Sequence, residues 1–367
     1  MIRWREGVVA QVLDRRPGAV EVAVASGEGR VRALAYTDLV GEPAPGDRVL
    51  LNGNALERDL GTGGLAMVVA LPDRLPPVGP APVAPGHLVK ARYTPLQAMV
   101  LGVDEQESEH HTALAEADDI AGMPVVAADL HSSLPAVLAG LRLTRPQARV
   151  AYVMTDGGAL PAAFSRTAGA LREAGWLASV VTTGQAFGGD LEAATVHTGL
   201  LAARLVSGAD VAVVVQGPGN LGTGTRWGFS GVAAGEALNA AAVLGGRPVA
   251  ALRVSQADPR ERHQGVSHHS RTAYGRVLAR PADLVVPDFD GADGVPAELA
   301  ARVDAQCEQL LADAPHLRGR PVPVTGLREA LAACPVRLST MGRGLEQDPA
   351  AFLAAAAAGR HAAGLLS

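Results

Sequence analysis

The chain is poor in several residue types, and each scarcity excludes something. Of its 32 basic residues only Lys90 is lysine, and isoleucine is nearly absent. This Arg- and Ala-heavy usage is that of a GC-rich genome. Under it a surviving lysine is either chance or a place where a compact ammonium matters. The two cysteines, Cys307 and Cys334, are too far apart to make a metal or redox motif. Their scarcity fits a reducing cytoplasm. Aromatics are 3%, so the 48% of hydrophobic residues must build a core from Ala, Val and Leu. No apolar run approaches the length that spans a bilayer. The opening "MIRWREG" has no apolar stretch behind it, as a secretory signal would. A formal charge of -5 makes no electrostatic case for nucleic acid or an anionic membrane. The expectation is a soluble cytoplasmic protein with neither kind of partner.

What is present divides in two. Up to residue 71 the chain reads as short strands, at 18–26 ("GAVEVAVAS"), 29–36 ("GRVRALAY"), 45–52 and 60–72, punctuated by Gly and Pro. That spacing predicts a small β-barrel or sandwich. Residues 72–86, with six prolines, read as a semi-rigid linker. From 87 to 367, Val-rich runs alternate with helical stretches. Strands are expected at 98–103, 124–129, 149–156, 177–183, 210–217, 248–255 and 283–287, and helices at 160–175 and 190–208. Such alternation predicts a doubly wound, mostly parallel, Rossmann-like sheet covered on both faces. The tail, about 296–367, reads as mostly helical. In such sheets ligands bind at the carboxyl ends of the strands.

Three loops at those ends hold the chemistry. In "VVVQGPGNLGTGTRWGFSG" (213–231), Gly217, Gly219 and Gly222 satisfy G-x-G-x-x-G after a strand and, as read, before a helix. Backbone N–H groups and a helix N-terminus cradle phosphate in that context. A dinucleotide fingerprint also needs an acid about 20 residues on, but the next strand ends near Ser255, with Asp258 beyond it. A P-loop needs lysine after its last glycine, where this chain has Thr223. Neither motif is complete. What remains is an anion cradle of Gly217, Gly219, Asn220, Gly222, Thr223, Gly224 and Thr225, with Arg226 as counter-charge. The plain alternative is tight helix–sheet packing.

The second loop, "SQADPRERHQGVSHHSRT" (255–272), carries Asp258, Arg260, Arg262, His263, His268, His269 and Arg271. Imidazoles transfer protons near neutral pH, and arginines suit phosphate or carboxylate. The spacing H-x4-H-H is not a zinc pattern, so no metal is assigned, and one would need ligands from elsewhere. Asp129 and His131 of "ADLHSS" and Asp156 of "TDGG" lie at other strand ends on the same edge and are candidate acid/base partners. The third loop, "GQAFGGDL" (184–191), ends in Asp190, read as a helix N-cap. Lys90 reaches such a site only if the segment after the linker folds back onto it.

Four segments resemble a known family: "GHLVKARYTPLQ" (86–97), "MTDGGALPAAFS" (154–165), "GPGNLGTGTRWGFSG" (217–231) and "ADPRERHQGVSHHSRT" (257–272). Together they are similar to an uncharacterised bacterial family, domain of unknown function 3866, over nearly the whole chain. The resemblance implies no reaction and transfers no catalytic residue. "GTGTRWG" (222–228) is also similar to a cysteine- or selenocysteine-bearing loop of glycine-reductase-type proteins. Gly224 and Trp227 stand where that loop has thiols or selenols, so its redox chemistry is not expected.

The leading expectation is a phosphorylated or carboxylated small molecule at the sheet's carboxyl edge. Backbone N–H groups and Arg226 would hold it, with Arg260 nearby. His263, His268 or His269, with Asp156, Asp129 or His131, would supply acid/base chemistry. The sequence names no cofactor and leaves homo-oligomerisation open. The alternative is a non-catalytic sensor or assembly protein, whose histidines need not face the glycine loop. A nucleic-acid-binding barrel would need a basic stripe from Arg3, Arg5, Arg15, Arg16, Arg30 and Arg32.

Overall fold

A computed structural model describes residues 2–27, 29–57, 63–75 and 85–366. Alternation of apolar and charged residues closes the N-terminal strands on themselves. β1 (Trp4–Arg16), β2 (Ala19–Ser26), β3 (Gly29–Tyr36), β4 (Arg48–Asn52) and β5 (Ala66–Ala70) form a closed barrel in the order β1-β2-β3-β5-β4. Val9, Val20, Val22, Val24, Val49, Leu51 and Val68 fill it. Of the expected Pro-rich linker, residues 76–84 lie outside the described residues.

Beyond it, β6 (Leu88–Lys90) and β7 (Ala98–Val100) form an antiparallel hairpin. The run at 98–103 therefore begins in this hairpin, and it meets the main sheet through the parallel bridge of Gly102 to Glu192. The main sheet has eight strands, all parallel, in the order β11-β10-β9-β12-β8-β13-β16-β17. They are β8 (Pro124–Ala127), β9 (Val150–Thr155), β10 (Ser179–Thr183), β11 (Leu191–Ala193), β12 (Val211–Gln216), β13 (Arg247–Ala250), β16 (Ala282–Asp288) and β17 (Leu317–Pro323). The short pair β14 (Val254–Ser255) and β15 (Gly265–Val266) sits at the edge beyond β13. β8, β9 and β12 are buried throughout, as unbroken apolar strands covered on both faces must be.

Two elements fall where helix was expected. β11 takes the start of 190–208, leaving helix Val196–Leu205, and β17 interrupts the tail between helices Ala297–Asp313 and Leu327–Ala332. Asp190 caps no helix. Its carboxylate accepts the Val180 N–H at 2.8 Å and Arg172 Nε at 3.1 Å, and Thr195 is the N-cap.

The strand order sets where loops part. Parallel strands joined through a helix cross right-handedly. The chain leaves β8 toward β9 on one side and leaves β12 toward β13 on the other. Helices Ser133–Thr144 and Ala233–Val243 therefore lie on opposite faces of the sheet. Between the adjacent ends of β8 and β12 a crevice opens, the switch point at which open α/β sheets bind ligands.

Candidate active site at the switch point

At that crevice the ends of β8, β12 and β13 surround a cavity of about 450 Å³. Leu130, His131 and Ser132 line it after β8, and Gly217, Pro218, Gly219, Asn220, Gly222 and Gly224 after β12. Arg253, Arg260, Arg262, His263 and His269 line it after β13, with Thr167, Ser339 and Met341 completing the wall.

Two residues of its wall, His269 and Arg253, meet the buried carboxylate of Asp129. Asp129 Oδ2 lies 3.1 Å from His269 Nδ1 and 3.4 Å from Arg253 Nη1, and Arg253 Nη1 is 3.1 Å from the same imidazole nitrogen. Burial pushes the Asp129 carboxyl up, but His269 and Arg253 outweigh it, so its pKa is lowered and it stays ionised. With Asp129 and the Arg253 guanidinium both on Nδ1, that nitrogen is engaged and Nε2 is the one left for a ligand. Phe229 stacks on the His269 ring at 3.7 Å, nearly parallel, and holds its plane. His263 lies beside it, its Nδ1 bonded to Ser267 Oγ at 2.8 Å. His268 packs against both at ring-centroid distances of 4.9 and 4.4 Å. Burial, reinforced by neighbouring cations, depresses the His263 pKa to about 3 and that of His268 to about 4. Both are neutral at physiological pH.

The glycine loop differs from its expected form. Helix Ala233–Val243 begins well past Gly222, so no helix N-terminus meets the glycines. Residues 221–230 fold instead into a tight hairpin, with Thr223 N–H on Gly228 O at 2.7 Å and Ser230 N–H on Leu221 O at 3.0 Å. Gly217 N–H is taken by Thr155 O, and a Cβ there would strike the Ala159 carbonyl, so this glycine serves packing. Gly219, at φ +96°, has open space around it. The N–H groups of Gly219 and Asn220 meet no backbone acceptor among the described residues. The Asn220 side chain braces the loop, its Oδ1 accepting from Gln216 Nε2 at 3.0 Å and Ser230 Oγ at 2.7 Å. Thr223 and Thr225 pair with each other at 3.1 Å on the exposed tip. Arg226 is exposed beside them and is not among the residues lining the cavity. The cations at the wall are Arg253, Arg260 and Arg262. Arg260 is committed bidentately to Asp258 at 2.9 and 2.8 Å, whereas Arg262 has no carboxylate partner among the described residues.

Three expected residues stand apart from the chemistry. His131 lines the cavity with both nitrogens engaged, Nδ1 with Tyr152 Oη at 3.1 Å and Nε2 with Ser165 Oγ at 2.8 Å. Asp156 is exposed and accepts the Gln185 N–H at 2.9 Å. Lys90 is fully buried under the β10–β11 edge, donating to the carbonyls of Gly184, Ala186 and Ala193 at 2.9, 2.8 and 3.2 Å, with Glu192 at 3.3 Å. With its ammonium hydrogens all taken, it staples the hairpin to the sheet and offers nothing to the cavity. Five of the six arginines of the prospective basic stripe are engaged in ion pairs: Arg3 and Arg5 with Glu57, Arg15 with Glu42, and Arg16 and Arg32 with Glu21. Arg253 escaped the sequence reading because it sits inside an apolar strand-like run. An arginine there was the available signal, since such a charge must find a buried partner.

Comparison with known proteins gives a family and little more. The model of a protein family of unknown function, DUF3866, matches residues 32–359. No curated protein matches the chain. Among solved structures, hydrogenase maturation factor HypB from Archaeoglobus fulgidus is similar at 12% identity, covering 60% of this chain and 91% of that one, with a TM-score of 0.27. At that score the likeness carries no functional argument. No helix among the described residues is long and apolar enough to cross a membrane.

Proposed function

We propose, for a chain that belongs to the DUF3866 family and takes no reaction from it, that it binds a small phosphorylated or carboxylated molecule at the switch point and acts on it by acid/base chemistry centred on His269. The observation that carries this reading is the Asp129–His269 contact of 3.1 Å in the wall of a cavity also lined by the glycine loop. An enzyme needs its imidazole oriented by a carboxylate and turned toward the ligand. A sensor could leave its histidines on the surface. The volume, about 450 Å³, falls within the roughly 300–1,000 Å³ of small-molecule sites. Arg262 supplies an uncommitted positive charge, and the N–H groups of Gly219 and Asn220 supply donors.

Thermal-shift measurements with inorganic phosphate, pyrophosphate and succinate test it. A ligand at a hundred times its Kd stabilises by about 2.7 kcal/mol, so at least one of these anions raises the wild-type Tm. Arg262→Ala, which removes an exposed side chain, keeps the fold and loses most of the shift. His269→Gln loses turnover of any substrate so identified. No shift with any anion, or one unchanged in Arg262→Ala, removes the reading.

A further inference from the structure

Three imidazoles converge beside the cavity, whose wall includes His263 and His269 but not His268. His263, His268 and His269 each bring one ring nitrogen to within 4.8 Å of the others. Hydrogen bonding sorts the nitrogens. His269 Nδ1 is taken by Asp129 and His263 Nδ1 by Ser267 Oγ. His268 Nε2 is buried with no hydrogen-bond partner among the described residues. A buried polar atom left unpaired carries an uncompensated desolvation cost and calls for an explanation.

We propose that His263, His268 and His269 bind a single divalent transition-metal ion of the zinc class through Nε2, with a further position open to the cavity. The inference rests on the small-anion part of the reading above and names what would hold the anion; with Nδ1 on Asp129 and Nε2 on the metal, His269 would serve as a ligand in place of its acid/base role. Imidazole selects zinc, copper or nickel over magnesium and calcium, which take oxygen ligands. A ligating histidine characteristically donates its other N–H to a carboxylate or another acceptor, and Asp129 and Ser267 Oγ lie against those nitrogens, placed to accept such bonds. Three neutral ligands with an open position make the ligand set of a catalytic rather than a structural zinc site. They leave the ion's charge unbalanced, and an anion in the cavity offsets it. Tetrahedral nitrogens about 2.0–2.1 Å from zinc lie roughly 3.3 Å apart, so the rings draw together on binding. The sequence pattern hides the site because His263 stands on the turn between β14 and β15, and only that turn returns it to the first turn of helix His268–Thr272.

The full-length protein, stripped with a chelator, is titrated with Co²⁺ and then Zn²⁺, following visible absorption and calorimetry. One equivalent of cobalt is expected to give the band of a low-coordinate nitrogen site, and zinc to displace it. His268→Phe replaces the unpaired nitrogen by carbon in a similar volume. Without metal it is expected to melt no lower than wild type, and its zinc affinity falls by more than the roughly 10–100-fold typical of losing an outer-shell partner. Asp129→Asn falls within that 10–100-fold range. His263→Gln provides the same test should His268→Phe not fold. Failure of the wild type to take up either ion, or uptake by the histidine variants equal to wild type, overturns the proposal. Inorganic phosphate added to the stripped protein separates the two readings. Phosphate binding without any zinc uptake removes the metal and leaves the anion site, and zinc uptake at the histidines with no anion bound does the reverse.

Discussion

His131 shows how a residue that looks catalytic is spent on structure. Ser165 Oγ already accepts the Ala168 N–H as the cap of helix Arg166–Glu173, so its own proton goes to His131 Nε2. His131 Nδ1–H then donates to Tyr152, and Tyr152 O–H to the Gln216 carbonyl at 3.3 Å. Every group is satisfied only if the imidazole is neutral, and burial holds its pKa down to about 4. The unfolded histidine takes its proton near 6.5 and the folded one only near 4, so stability is lost as pH falls through that window. Urea unfolding across the window should show His131→Gln with a shallower decline than wild type, by up to about 1.4 kcal/mol per pH unit. Equal slopes would mean that the imidazole is protonated in place. The sequence offered His131, Asp129 and Asp156 as equals, since each follows a strand. Only the partners met in the fold separate them, and those partners lie 21 to 140 positions away.

At the scale of elements, the alanine-rich helix Pro349–Gly364 is buried by backbone rather than by side-chain bulk. It lies against helix Ser133–Thr144, where a Cβ on Gly140 would strike the Ala356 carbonyl and a Cβ on Gly359 the Val137 carbonyl. Two glycines facing each other's helix let the axes approach closely. Overpacking such a contact costs about 1–3 kcal/mol, so Gly140→Ala should lower the urea-unfolding free energy by that amount although alanine is the better helix former. No loss would show that the pair can slide apart freely. This helix was legible from composition, and so were β8, β9, β10, β12 and β16, because continuous valine runs have few other fates. β17, Leu317–Pro323, was not. Its "LRGRPVP" is an edge strand with prolines, a glycine and exposed arginines, a pattern tolerated only where one side goes unpaired. β11 is three residues long and borrows its order from β10. The glycine loop was found at the right strand end but misread in form, since a hairpin and a phosphate cradle draw on the same Gly and Thr. The histidine triplet was visible as a cluster, and its geometry was not.

Across the whole molecule, the barrel is fastened to the wall of the candidate site. Glu21, almost wholly buried on β2, receives Arg166 from the helix that Ser165 caps, with Arg32 at 3.0 Å and Arg16 at 3.3 Å. Arg16 Nε also donates to the Ala163 carbonyl at 3.1 Å, and Ala163 and Phe164 pack on Ala19, Leu34 and Leu65. Residues 163–167 thus touch the barrel at one end and reach the cavity at the other, through Ser165 on His131 and Thr167 in the wall. Burial pushes the Glu21 carboxyl up, but hydrogen bonds from Arg166 and Arg32 outweigh it and its pKa is lowered. The stabilisation is therefore complete above the ordinary glutamate value of 4.5 and is lost as pH falls below it through the folded value. Hydrogen exchange at neutral pH should be faster over residues 161–169 in Glu21→Gln than in wild type, by the equivalent of about 1.5–3 kcal/mol for hydrogen bonds to a charged group. Strands β2 and β3 should keep their protection. On acidification below 4.5 the wild type should approach the variant, and the variant should change less. Uniform loss of protection across the barrel would instead make Glu21 part of the barrel's own stability. Protection unchanged at 161–169 would show that the apolar contacts of Ala163 and Phe164 hold the two parts together without the ion pairs.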